Sequence, residues 1–130
     1  MDLKDLEPWE CLEKQIIWKQ LGNIKGKRIL DFGSGFGITA SYLASSNDVT
    51  AIEPSAGSVY NRWKDNDYRQ FCGSTEQLLI IENESFDIII CHNVLEYASD
   101  REIIIKEFIR ILKQDGYISI EKHNRPGRVM

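Results

Sequence analysis

Cysteine, proline and long apolar runs are scarce in this chain of 130 residues, and each scarcity removes a class of protein. The three cysteines, Cys11, Cys72 and Cys91, are odd in number and lack metal-ligand spacing. Neither a disulfide framework nor a metal site is expected, and a reducing compartment is. No run of about 18 apolar residues occurs, and no basic-then-apolar segment opens the sequence, so the expectation is a cytoplasmic protein without membrane association. Internal repeats and low-complexity tracts are also missing. A net charge of -4 argues against wholesale electrostatic binding of nucleic acid, and leaves room only for a local basic patch. What is present, 42% hydrophobic residues, suffices for one core, hence one domain over residues 1–130.

Helical and strand-like segments alternate along the chain. Pro8 to Leu21 reads as a helix, with Trp9, Leu12, Ile16 and Ile17 on its apolar face and Pro8 in its first turn. A strand is expected at Arg28–Phe32, a helix from about Ile38 to Ser45, a second strand at Val49–Glu53 and a helix over Ser55–Lys64. Tyr68–Cys72 reads as a third strand, and Phe86–Cys91, with three consecutive isoleucines, suits a fourth that is buried on both faces. Ser99 to Glu102 has capping-box spacing, and Ile104, Phe108, Ile111 and Leu112 then share a helical face. Asp115-Gly116 is expected to turn the chain into a fifth strand, Tyr117–Glu121. Strands separated by helices imply parallel pairing through right-handed crossovers, giving an open α/β sheet of Rossmann-like type with helices on both faces.

Within this frame, Ile29 to Gly37 carries the chemistry: an apolar strand, Asp31, then Gly33, Gly35 and Gly37 opening into a helix. Glycines at that place let the backbone turn sharply and approach a ligand. Asp31 would repel the pyrophosphate of a dinucleotide and attract an ammonium or sulfonium, which disfavours a nicotinamide dehydrogenase. The next strand ends in Glu53, about 20 residues after the glycine loop starts, the interval of a βαβ unit.

This pattern resembles the class I S-adenosylmethionine-dependent methyltransferases over nearly the whole chain, and the family resemblance implies the sheet order 3-2-1-4-5. The resemblance implies that S-adenosyl-L-methionine, released as S-adenosyl-L-homocysteine, is held by Asp31, Gly33, Ser34 and Gly35 at its methionine and ribose portions. Glu53, followed by Pro54, would take the ribose hydroxyls. Ser74, Thr75 and Glu76 stand where the family contacts the adenine, with Ser74 in place of the usual aspartate. Ser74 also suits the N-cap of a short helix, and the two roles are compatible. His92 and Asn93 leave the fourth strand beside the glycine loop and are expected at the cofactor, with a plain hydrogen-bonding loop residue as the lesser reading of His92.

Lys122, His123, Arg125 and Arg128 form a basic segment after the fifth strand, suited to an anionic acceptor or an RNA backbone, or simply solvated. With Pro8-Trp9 and Cys91 to Tyr97 it is similar to the enzymes that esterify carboxymethoxyuridine at the tRNA wobble position. Glu13 and Lys14 depart from that subfamily, which has an arginine and an aromatic there. The expected reaction is in-line transfer of the sulfonium methyl to a small-molecule or RNA-borne acceptor, the protein supplying binding, orientation and exclusion of water. A carboxylate acceptor needs no base, and for a hydroxyl or amine His92 and His123 are the candidates by residue type. The alternative is a non-catalytic cofactor-binding or regulatory module. Family members continue with two further strands, 6 and 7, so a missing C-terminal part, an exposed fifth strand and a homodimer or higher assembly through that edge are expected.

Overall fold

The computed structural model describes the backbone of residues 8–92 and 100–121, and the side chains of most of these. Five helices and five strands alternate: α1 (Pro8–Leu21), β1 (Arg28–Phe32), α2 (Ile38–Leu43), β2 (Asp48–Glu53), α3 (Ala56–Tyr60), β3 (Arg69–Cys72), α4 (Thr75–Leu79), β4 (Phe86–His92), α5 (Arg101–Ile111) and β5 (Leu112–Glu121). The strands form one sheet in the order β3-β2-β1-β4-β5. Every pairing is parallel, as the alternation of elements requires.

Burial explains the isoleucine run. Ile89 and Cys91 face one cluster with Leu30, Phe32, Leu78, Ile104 and Phe108, while Ile88 and Ile90 face the other with Ile29, Ala40, Leu43 and Val49. A central parallel strand has no solvent side, so both phases of its period-2 pattern must be apolar. Phe32 meets Phe108 edge to face, centroids 5.5 Å apart, which locks α5 over β1.

Four local expectations are corrected. Among the described side chains of α1, Lys14, Trp18 and Leu21 are the partly buried ones, whereas Leu12 and Ile16 are 58% and 47% exposed. Trp18 sets that rotation: its ring stacks on Tyr42 at 3.9 Å and its indole N–H donates to the Thr39 hydroxyl at 3.2 Å, so one large amphipathic side chain outweighs a stripe of smaller apolar ones. The side chains of Trp9, Cys11 and Ile17 lie outside the described residues. Helix α3 stops at Tyr60 rather than Lys64. Asn61 donates to the Gly57 carbonyl at 3.0 Å and Arg62 to the Val59 carbonyl at 2.9 Å, which satisfies the last turn and releases Trp63 to donate its backbone N–H to the Phe36 carbonyl at 2.7 Å.

The third correction concerns β5. Leu112 is not on the helical face but is extended and pairs with Phe86. Asp115-Gly116 makes no turn between elements: the register jumps from Phe86↔Leu112 to Ile88↔Tyr117, so these residues form a bulge within one strand. A Cβ on Gly116 would sit 2.5 Å from the Asp87 carbonyl, so the bulge needs glycine at that close approach. Finally, α5 takes Asp100 as its N-cap residue, and the Asp100 carboxylate accepts the Thr75 hydroxyl instead of capping. Ser99, the expected cap, lies outside the described residues.

Candidate functional site

The strand order reverses between β1 and β4, and the ligand crevice of an open α/β sheet lies beyond the carboxyl ends of the strands at such a point. Asp31 and the glycine loop sit there. The loop is folded back on the end of β2, since the N–H groups of Gly33 and Ser34 both donate to the Ile52 carbonyl, at 2.8 and 3.1 Å. Gly33, Gly35 and Gly37 have φ of 81°, 57° and 75°, the left-handed region that favours glycine. Their reasons differ. A Cβ on Gly35 would meet nothing within 4 Å, so that position is open for a ligand. A Cβ on Gly37 would lie 2.2 Å from the Tyr68 hydroxyl, so Gly37 is needed for packing.

Glu53 ends β2 with a carboxylate that organises the loop. One oxygen accepts the Gly35 N–H at 2.8 Å and the other accepts the Ser55 N–H at 2.9 Å. A carboxylate has about four acceptor sites, so two remain for ligand hydroxyls. The Glu53 carbonyl also accepts the Gly73 N–H at 3.0 Å, bringing the β3–α4 loop to the same edge. There Ser74 is the N-cap residue of α4, but its hydroxyl makes no capping bond. The Glu76 carboxylate instead accepts the N–H of Ser74 itself at 2.8 Å. Thr75 is tied to Asp100, and Pro54 is exposed.

Asp31 is only 4% exposed. Burial raises its carboxyl to a pKa of about 6, the Lys14 ammonium works against that rise, and the charge of Glu53 adds to it. Two carboxylates thus flank the glycine loop, one of them at a cost to the fold. A structural role does not call for a buried acid among isoleucines, so this is a functional-site signature. Lys14 was the residue least legible beforehand: only its place four positions before Trp18 on α1 signals that it faces inward. The Ser34 hydroxyl is buried with no hydrogen-bond partner among the described residues, so a ligand reaches it only if the loop shifts. Phe36, half exposed at the loop tip, and the Trp63–Tyr68 segment behind it were not anticipated either. His92 closes β4 by its backbone, opposite Glu121. Its side chain, Asn93, Lys122, His123, Arg125 and Arg128 lie outside the described residues. Among the described residues no group of three or more His, Cys, Asp or Glu could hold a metal ion, and no helix is long and apolar enough to cross a membrane.

A five-stranded parallel sheet with a glycine loop and acids at the ends of β1 and β2 defines a Rossmann-like domain for a nucleoside cofactor. Comparison with known proteins narrows this. The methyltransferase-domain family matches residues 30–120, well over half of the chain, and the chain belongs to it, among the class I S-adenosylmethionine-dependent methyltransferases. The chain is 28% identical over 137 aligned positions to a ubiquinone biosynthesis O-methyltransferase of Glaesserella parasuis serovar 5, covering 98% of this chain and 58% of that protein. It is 31% identical over 105 positions to an uncharacterized methyltransferase, YcgJ, of Bacillus subtilis (strain 168), covering 76% of this chain and 42% of that one. The crystal structure of YcgJ superposes with a TM-score of 0.69 at 26% identity, covering 80% of this chain and 48% of that chain. The chain therefore spans about half the length of the curated relatives it matches.

Proposed function

We propose that this chain binds S-adenosyl-L-methionine at the carboxyl edge of β1 and β2 and forms the cofactor half of a methyltransferase acting on a small-molecule or RNA-borne acceptor. The observation that carries the reading is the pair of acids around the glycine loop: buried Asp31 and loop-holding Glu53. The residues fit the group. The open face of Gly35 admits a ligand, the free acceptor sites of Glu53 suit vicinal hydroxyls, and Asp31 suits a cationic methionine portion. When bound, the cofactor supplies a methyl already activated on a sulfonium. The chain's own work is then to hold the ribose at Glu53, to offset the positive charge with Asp31, and to keep the loop fixed through the Ile52 carbonyl. Names among the relatives, such as ubiquinone biosynthesis O-methyltransferase, support a small-molecule oxygen acceptor over an RNA-borne one. His92, Asn93 and His123 stay candidates for contacting cofactor or acceptor, and Ser74 to Glu76 for the adenine.

Calorimetric titration with S-adenosylhomocysteine and with NAD tests the cofactor class, and methyl transfer over a panel of phenols, carboxylates and tRNA tests the reaction. Binding of S-adenosylhomocysteine without turnover on any acceptor would favour the non-catalytic cofactor-binding module. Tighter binding of NAD would refute the reading altogether. Strand β5 is an edge strand with Tyr117 and Ile120 half exposed, which supports self-association through that edge as part of the same proposal.

A further inference from the structure

A cavity of about 260 Å³ lies between the sheet and the C-terminal side of α4, running from the amino ends of β1 and β3 up to Ile52 on β2. Thr50, Ile52, Ile81 and Phe86 wall it, and Arg28 and Arg69 stand on its outer rim. These arginines begin β1 and β3, whereas Asp31 and Glu53 lie at or near the other ends of β1 and β2, so the arginine rim is away from the cofactor edge, and only Ile52 borders both. Two features mark its lining. Thr50, a polar residue in an otherwise apolar wall, is 6% exposed. Both arginines lean on a single carboxylate, Arg69 at 2.8 Å and Arg28 at 3.6 Å from Asp48.

The charge balance is therefore positive at this rim. Among the described residues the ion pairs of Arg28 and Arg69 go to the one carboxylate of Asp48, while Asp87 accepts the Arg28 backbone N–H at 2.9 Å and pairs with Lys113 at 3.5 Å; the Arg28 guanidinium also lies over the Phe86 ring, 5.8 Å from its centroid. This excess stands out in a chain of net charge -4. Guanidinium forks on a rim suit a carboxylate, and the apolar walls behind them suit a hydrocarbon body. At the ~30 Å³ that a water occupies in the liquid, taken as the volume of one heavy atom, the cavity holds roughly eight heavy atoms behind the anion. We propose that this cavity is a second ligand site, taking a small amphipathic monocarboxylate whose headgroup sits on Arg28 and Arg69 and whose chain lies against Ile52, Ile81 and Phe86 with Thr50 at its side.

The test uses octanoate as the probe, with 1-octanol as its uncharged counterpart, followed by two-dimensional amide NMR on the full chain. Octanoate should shift Thr50, Gln77 and Ile81 saturably in the millimolar range, unaffected by saturating S-adenosylhomocysteine. Octanol should bind about tenfold more weakly, and Arg28→Gln/Arg69→Gln should weaken octanoate by about the same factor, to the level of octanol. Both arginines are about half exposed, so the double variant is expected to keep its spectrum elsewhere. If it does not fold, Arg69→Gln alone should still narrow the preference for octanoate. The proposal is overturned by shifts confined to Gly33–Gly37, by displacement with S-adenosylhomocysteine, by equal affinity for octanol, or by no saturable shift at all.

Discussion

Replacing Asp31 by Asn should make the protein more stable and its cofactor site worse. The carboxyl is 4% exposed, and burial lifts its pKa from 3.8 to about 6 despite the neighbouring Lys14. The sign follows from linkage. A carboxyl with a raised folded-state pKa holds its proton more tightly when folded, so ionisation of Asp31 removes stability as pH rises from about 4 to about 6, and the full penalty persists above that. The shift corresponds to about 3 kcal/mol, of which about 2 kcal/mol develops between about pH 4.5 and about pH 7.5. Urea unfolding of both proteins at those two pH values gives the test. The stability difference between Asp31→Asn and the parent should grow in favour of the variant by about 2 kcal/mol on going to the higher pH, a comparison in which the pH-independent cost of burying an amide cancels. Affinity for S-adenosylhomocysteine, which keeps the cationic ammonium, should fall by about tenfold or more in the variant, the value of a charge-assisted contact. In the parent protein, binding should tighten as pH rises through about 6 and should release a proton there. A stability difference that is the same at both pH values would refute the account of a strained, buried carboxylate. Unchanged affinity would mean that the strain serves something other than the cofactor.

Glu53→Ala should lose roughly ten- to a hundredfold in cofactor affinity. Because the same carboxylate anchors the Gly35 and Ser55 N–H groups, it should also speed amide exchange in the glycine loop. Unchanged calorimetric affinity would sink the ribose assignment. Gly35→Val should abolish binding while keeping the fold by circular dichroism, since its side chain has open space within the protein and points into the proposed cofactor site; left-handed strain at φ 57° should lower its melting point modestly. Gly37→Ala should instead destabilise the fold by about 1 to 3 kcal/mol, because left-handed strain adds to a clash with Tyr68. Thermal melts that rank the two the other way would reverse these roles. Ile120→Lys on the edge strand should shift sedimentation at micromolar concentration toward monomer, and a parent protein that is already a 15 kDa monomer would refute the edge-mediated assembly.

Much of this molecule was readable from local pattern. The alternation of apolar runs with helical segments was enough for parallel pairing, because parallel strands buried on both faces must be written as continuous hydrophobic runs and their crossovers have one hand, and the family resemblance supplied the order β3-β2-β1-β4-β5. The glycine loop and the acids Asp31 and Glu53 were legible for a similar reason: strand length and βαβ spacing place them at one edge whatever the details of packing. Other features required the third dimension. The face that α1 turns inward depends on the Trp18–Tyr42 stack between residues far apart in sequence, so periodicity within α1 alone selected Leu12 and Ile16 wrongly. Asp115-Gly116 reads as a turn in any local window, and becomes a bulge only because β4 offers Asp87 across from it. Burial of Asp31, the double use of Glu53 by the loop, and the cavity under Arg28 and Arg69 are likewise products of assembly. Sequence by itself determined which groups reach the carboxyl edge, since that follows from covalent spacing. Only the tertiary structure decided their charge state and free bonding capacity, since desolvation and competing hydrogen bonds come from neighbours that are distant in the chain.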